Sequence, residues 1–137
     1  MQNAECKIKV HADVYYRTLG LKIDNLNLQR RYKKMERYAW KGRVKGDIAE
    51  YKRRHDEIWP EMKEVLHAAG ITNYSIWNVG DELFGYYECK NGVEFAAKVQ
   101  NESPVIERWN EYMDDILELE MEPNGAQKKL VEVFRFE

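Results

Sequence analysis

Cysteine is scarce in this chain: Cys6 and Cys89 stand alone among 137 residues. One bridge between positions so far apart is not a disulfide framework, and no cysteine and histidine spacing resembles a zinc site. No apolar run approaches the roughly 18 residues of a membrane-spanning helix, and the N-terminus lacks the apolar core of a secretory leader. These absences set the expectation of a cytoplasmic protein with no membrane partner and no bound metal. A glycine-rich phosphate loop, a Ser-His-Asp set recognisable by order and two histidines four residues apart are missing too, so enzyme classes built on them lose weight.

What is present fits one ordinary domain, with 44% apolar and 34% charged residues. A chain of this length buries roughly two-thirds of the surface its unfolded form exposes, so its own apolar core suffices without staples. The net charge of −2 hides an asymmetry: residues 1–34 carry 8 Lys and Arg against 3 Asp and Glu, and the remainder carries 14 against 21. A basic arm on an acidic body suggests a nucleic-acid tail, but Arg30, Arg31, Lys33 and Lys34 make only a short cluster, and no RNA-binding aromatic motif accompanies it. The expectation is therefore an N-terminal extension over 1–34, a folded domain over 35–137 and no nucleic-acid partner.

From Arg37 to Lys45, Tyr38, Trp40, Gly42 and Val44 alternate with Ala39, Lys41, Arg43 and Lys45, the period of a strand with one buried face. Gly46 breaks it, and Asp47 with Glu50 has the spacing of a helix start. The helical period of Ile48, Tyr51, Ile58, Met62, Val65, Leu66 and Ala69 ends at Gly70. Pro60 removes a donor and pushes Trp59 from helical angles, which predicts a kink or restart there. Ile71 to Val79 and Leu83 to Cys89 read as strands joined by a Gly80-Asp81 turn. A short helical stretch over 93–99 follows Asn91-Gly92, and Ser103-Pro104 opens a second long helix carrying Val105, Trp109, Tyr112 and Ile116. After Pro123-Asn124-Gly125, Lys129 to Phe136 is predicted as a last strand.

Strand, helix, strand, strand, helix, strand is the βαββαβ order of ferredoxin-like α+β domains. Two helices cover one face of such a sheet. Tyr38, Trp40, Tyr74, Ile76, Phe84, Tyr86 and Phe134 suggest that the other face is too aromatic to stay wet, which points to a homodimer with a barrel-like interior, a dimeric α/β barrel.

The chemistry-bearing candidates are few. In Tyr51-Lys52-Arg53-Arg54-His55, Tyr51 and His55 are four apart and share a helix face beside the apolar stripe. The bland alternative has Tyr51 packing and His55 satisfying an ordinary hydrogen bond near the kink, with Lys52, Arg53 and Arg54 as a solvated face. His67 and His11 lack a supporting constellation.

The run from Tyr51 to Glu64, YKRRHDEIWPEMKE, closely resembles the corresponding segment of L-rhamnose mutarotases. The likeness continues through Asn73-Tyr74-Ser75-Ile76, Arg108-Trp109 with Tyr112-Met113, and Glu132-Val133-Phe134, spanning about Met35 to Phe136. The resemblance implies a dimeric α+β barrel that interconverts the pyranose anomers of L-rhamnose with no metal or organic cofactor. It places the family's proton-donating histidine at His55 and its sugar-contacting tyrosines at Tyr51 and Tyr74. Its paired tryptophans fall on Trp109 and Asn110, so the second is replaced by an amide, which bears on sugar preference.

Mutarotation opens a hemiacetal and recloses it on the other carbonyl face, so only protons need move. One group protonates the ring oxygen while another takes the anomeric proton, and a histidine with an unperturbed pKa of about 6.5 suits such work. His55 is the candidate acid, Tyr51 and Tyr74 are candidates for sugar contacts, and Trp109 is a candidate for the pyranose C–H surface. The competing reading is a non-catalytic small-ligand-binding protein of the same barrel shape.

Overall fold

The computed structural model describes residues 34–137. Apart from Lys34, the expected N-terminal extension, with His11 and Cys6, lies outside the described residues. Strand β1 (Glu36–Val44) leads to helices α1 (Ile48–Asp56) and α2 (Pro60–Ala68). The hairpin β2 (Ile71–Val79) and β3 (Glu82–Cys89) follows, then α3 (Val93–Asn101), α4 (Pro104–Met113) and β4 (Leu117–Leu119). The sheet order is β2-β3-β1-β4, with antiparallel neighbours throughout. This is the ferredoxin-like βαββαβ arrangement, each crossover divided into two helices.

Local chemistry sets the boundaries. The Asp47 carboxylate accepts from the Ala49 N–H at 2.8 Å and caps α1, as N-cap acids do. Glu50 does not close a capping box; its carboxylate is taken by Arg53 and Arg54. Trp59, at φ −60° and ψ 139°, is extended, and α2 restarts at Pro60, because proline excludes the residue before it from helical angles. Ser103 caps α4 ahead of Pro104.

The end of the chain departs from the sequence pattern. Helix α4 stops at Met113 rather than continuing through Ile116, and the fourth strand is Leu117–Leu119, not Lys129–Phe136. Leu117–Leu119 occupies the β1 edge opposite Gly42–Val44. Along its backbone the later segment meets β1 at the isolated Trp40–Lys129 bridge and in the Leu130 N–H donated to Ala39 O at 2.8 Å. Beyond it Val131, Val133, Phe134 and Phe136 are 78–94% exposed. Their strand-like pattern finds no strand partner among the described residues.

The two sheet faces also differ from expectation. Tyr38, Trp40 and Gly42 lie opposite Tyr87, Gly85 and Leu83 and, with Val44, share the inner face that meets the helices. Ile71 joins that face opposite Cys89, but the register then shifts between Thr72 and Ser75, with Asn73 at φ 49°. Such a bulge reverses which side chains face inward. After it Ile76 lies opposite Gly85 and Tyr74 packs edge-on to Tyr87 at 5.0 Å. Tyr38, Trp40, Tyr74 and Ile76 therefore belong to the inner face, not with Phe84 and Tyr86 on the outer one. Phe134 lies in the unpaired C-terminal segment.

Candidate active site

A cavity of about 680 Å³ lies between the inner sheet face and the helices, with Tyr51 and His55 of α1, Tyr74 of β2, Tyr87 of β3 and Trp109 of α4 in its wall. The first pair follows from helical spacing: residues four apart sit one above the other, and the Tyr51 and His55 ring centroids are 4.4 Å apart. His55 is half-buried, and its Nδ1 lies 3.0 Å from the Tyr51 carbonyl oxygen. Burial lowers the His55 pKa below its usual 6.5, against the opposing pull of that carbonyl and of the Asp56 carboxylate. The imidazole is thus neutral at pH 7. Tyr51 is 4% exposed, and its hydroxyl is buried with no hydrogen-bond partner among the described residues. Burial raises its pKa strongly, so it remains a phenol.

The α2 restart presents Trp59 edge-on to Trp109 at 5.2 Å, and Trp109 in turn meets the His55 ring edge-on at 5.5 Å. Tyr112 closes the group against both tryptophans. Edge-to-face pairs at these separations are favourable beyond their buried area, and they fix the imidazole from the α4 side. Arg54 locks the assembly. Its guanidinium bridges Glu50 and Asp115, donates to the Tyr112 carbonyl at 2.7 Å and lies 4.7 Å from the Tyr112 ring centroid. Expected on a solvated face, this side chain is only 12% exposed. The Glu50–Arg54 spacing was the one visible hint of an ordered role.

The sheet supplies the opposite wall. Trp40 lies directly over Gly85, where an added Cβ would come within 2.0 Å of its indole, so the glycine makes room for the ring. Tyr74 retains 41% of its residue surface, yet burial pushes its hydroxyl up to about 12, partly offset by a hydrogen bond with the Trp40 indole. Tyr87 is 8% exposed and stacks on Tyr38 at 5.0 Å. Burial raises its pKa above the usual phenol value, against a hydrogen bond from the Gln100 side chain. Tyr87 and Gln100 escaped the sequence reading; the alternation of Leu83, Gly85, Tyr87 and Cys89 was the signal that placed Tyr87 inside.

All five sequence candidates line this one cavity: Tyr51, His55, Tyr74, Trp109 and Asn110. Trp109 is 8% exposed and packed in the aromatic group, whereas Asn110 is exposed at the rim. His67 is exposed and outside the lining. Among the described residues no three His, Cys, Asp or Glu side chains converge to hold a metal ion.

Comparison with known proteins agrees on one family. The sequence model described as L-rhamnose mutarotase matches residues 37–136. The L-rhamnose mutarotase of Jannaschia sp. (strain CCS1) is 38% identical over 104 residues, covering 73% of this chain and 97% of that protein. That of Listeria monocytogenes serovar 1/2a is 38% identical over 91 residues, 65% of this chain and 86% of its own length. The crystal structure of the L-rhamnose mutarotase from Formosa agariphila superposes with a TM-score of 0.59 at 30% identity, covering 74% of this chain and 99% of that one.

Proposed function

The chain belongs to the L-rhamnose mutarotase family, an isomerase family, and we propose that the cavity between sheet and helices is where it interconverts the α and β pyranose anomers of L-rhamnose. The observation that carries this assignment is the His55–Tyr51 pair: a neutral imidazole and an unpartnered buried phenol in one cavity wall. A sugar is rich in the donors and acceptors that such a hydroxyl lacks, and its C–H surfaces suit the flanking aromatic rings. In this reading His55 exchanges the protons, Tyr51 and Tyr74 contact sugar oxygens, Trp109 offers an apolar edge, and Asn110 contributes an amide at the rim. Nothing favours a ligand-binding protein without turnover.

The assignment is tested by anomer exchange of L-rhamnose, followed by saturation-transfer NMR. His55→Ala is expected to keep the fold and lose between about 100-fold and 10,000-fold of the catalysed exchange, the usual range for a proton-transferring side chain. Wild-type exchange rates in a well-folded variant would reject His55.

The reading includes a homodimer. Its support is the outer sheet face, where Trp77 and Val79 are 70% and 61% exposed beside Phe84 and Tyr86, together with the exposed apolar C-terminal segment. A second copy is the partner that buries an apolar face in a symmetric, closed way. It includes a cytoplasmic setting as well, supported by the sparse cysteines; among the described residues no helix is long and apolar enough to cross a membrane.

A further inference from the structure

The resemblance casts His55 as the proton donor, but its hydrogen bond says which nitrogen carries the proton before reaction. Nδ1 lies 3.0 Å from the Tyr51 carbonyl, and a carbonyl oxygen can only accept. In the neutral ring Nδ1 must therefore hold the hydrogen, leaving Nε2, across the ring from the helix backbone, as a bare lone pair. His55 then begins the reaction as a base. A second group is hard to find in the wall. Lys52 and Asp56, from His55's own helix, are exposed and paired with each other. Among the described residues the titratable groups that the sheet presents are Tyr74 and Tyr87, and α4 presents Trp109 and Asn110, neither of which titrates. Tyr51, Tyr74 and Tyr87 are all held as phenols by burial.

We propose that one nitrogen, His55 Nε2, performs both proton transfers, with Tyr51 as the positioning residue whose carbonyl fixes the working tautomer. This rests on the mutarotase reading of the cavity. Nε2 takes the proton of the anomeric hydroxyl; that oxygen forms the carbonyl as the bond from the anomeric carbon to the ring oxygen breaks, and the electron pair stays on the ring oxygen. The imidazolium then returns the same proton to the ring oxygen. Both oxygens are bonded to one carbon, so a nitrogen within hydrogen-bond reach of the first is a small displacement from the second. After the open chain turns its other carbonyl face, the steps run in reverse. Nothing is consumed, and no proton need leave the cavity.

Two measurements test it. In protein labelled with ¹⁵N-histidine, long-range ¹H–¹⁵N spectra at pH 8, assigned by the peaks missing from His55→Gln, are expected to show the Nδ1–H tautomer at His55. An Nε2–H tautomer overturns the assignment, whether or not the protein turns over L-rhamnose. The pH profile of kcat/KM for L-rhamnose, after subtraction of the solvent reaction, is expected to rise along one limb below pH 6.5 and stay level to pH 9, because only neutral His55 can start the cycle. A bell with an alkaline limb below pH 9 demands a second proton-bearing group and overturns the single-nitrogen cycle while leaving the mutarotase reading intact. Asp56→Asn is expected to stay within twofold of wild type on the level part of the profile, with the limb moved to lower pH because the carboxylate's pull on His55 is lost; a tenfold loss there would name Asp56 as the missing partner and overturn the proposal. Tyr51→Phe, which keeps the carbonyl, is expected to lower the rate without moving the limb, and a shifted limb would count against the proposal.

Discussion

The inner and outer faces of this sheet are almost equally aromatic, yet they have different fates. Inside, Trp40, Tyr74, Tyr87 and Tyr38 contact one another, and polar side chains reach them: Gln127 accepts the Tyr38 hydroxyl at 3.3 Å, and Gln100 bonds Tyr87. Outside, Phe84 lies opposite Lys41 and Tyr86 has charged neighbours, and the nearby C-terminal segment leaves most of its apolar surface in water. Aromatic content alone thus does not distinguish a binding wall from an interface. The difference lies in what each face meets: the inner face closes a cavity with helix α1, whose Tyr51 hydroxyl has no hydrogen-bond partner among the described residues, while on the outer face the Tyr86 hydroxyl donates to Glu88 and the Trp77 indole to Ser75, leaving hydrocarbon as the free surface.

The sharpest way to break the comparison is to disturb the inner face at its tightest point. Gly85→Ala places a methyl 2.0 Å from the Trp40 indole, and overpacking of a filled core typically costs about 1–3 kcal/mol. A loss near about 3 kcal/mol is expected from the urea midpoint, with catalysed exchange reduced as Trp40 moves off Tyr74. A variant as stable and active as wild type would show that Trp40 does not need this seat.

A paired experiment then separates the faces. Val133→Asp with Phe134→Asp changes only side chains that are 94% and 80% exposed, so the chain should stay folded while the proposed homodimer falls to the mass of one chain in light scattering. Tyr74→Phe on the inner face should leave the mass alone and raise KM about fivefold, equivalent to about 1 kcal/mol for one net hydrogen bond. If the tail substitutions leave a dimer intact, the C-terminal segment is not where the copies meet.

Much of this was legible in the sequence because the local signals agreed with the global fold. The alternation in β3, the Asp47 and Ser103 caps and the proline restart each place an element where it is found. The two faces were confused because strand period separates two sets of side chains without saying which set the helices cover. The bulge at Asn73 then reverses inside and outside within β2, and nothing in the Thr72-Asn73-Tyr74 run announces it. The C-terminal segment misled for a different reason: Lys129 to Phe136 has strand composition, but pairing requires a free edge, and the nearer part of the β1 edge is already held by Leu117–Leu119. Arg54 was misjudged because its partners Asp115 and Tyr112 are about sixty residues away in sequence. His55 and Tyr51 were legible because one helical turn is enough to bring them together.

The smallest expected effect concerns Asn110, at the position where the resemblance implies the second of two paired tryptophans. Its neighbour Trp109 faces inward and is 8% exposed, while Asn110 is exposed and reaches the cavity only at its rim. A rim amide can donate to and accept from a sugar hydroxyl, whereas an indole there would offer a surface to C–H groups. Asn110→Trp should therefore shift preference toward the 6-deoxy sugar L-rhamnose and away from hydroxymethyl sugars, by at most about 1 kcal/mol for one partly exposed aromatic contact. In rates this is about a fivefold change in the ratio of kcat/KM between L-rhamnose and a hydroxymethyl aldose, with the mass and thermal midpoint unchanged. An unchanged ratio would mean that the side chain points to solvent and the cavity interior alone selects the sugar, confining specificity to the helix and sheet walls that carry Tyr51, Tyr74 and Tyr87.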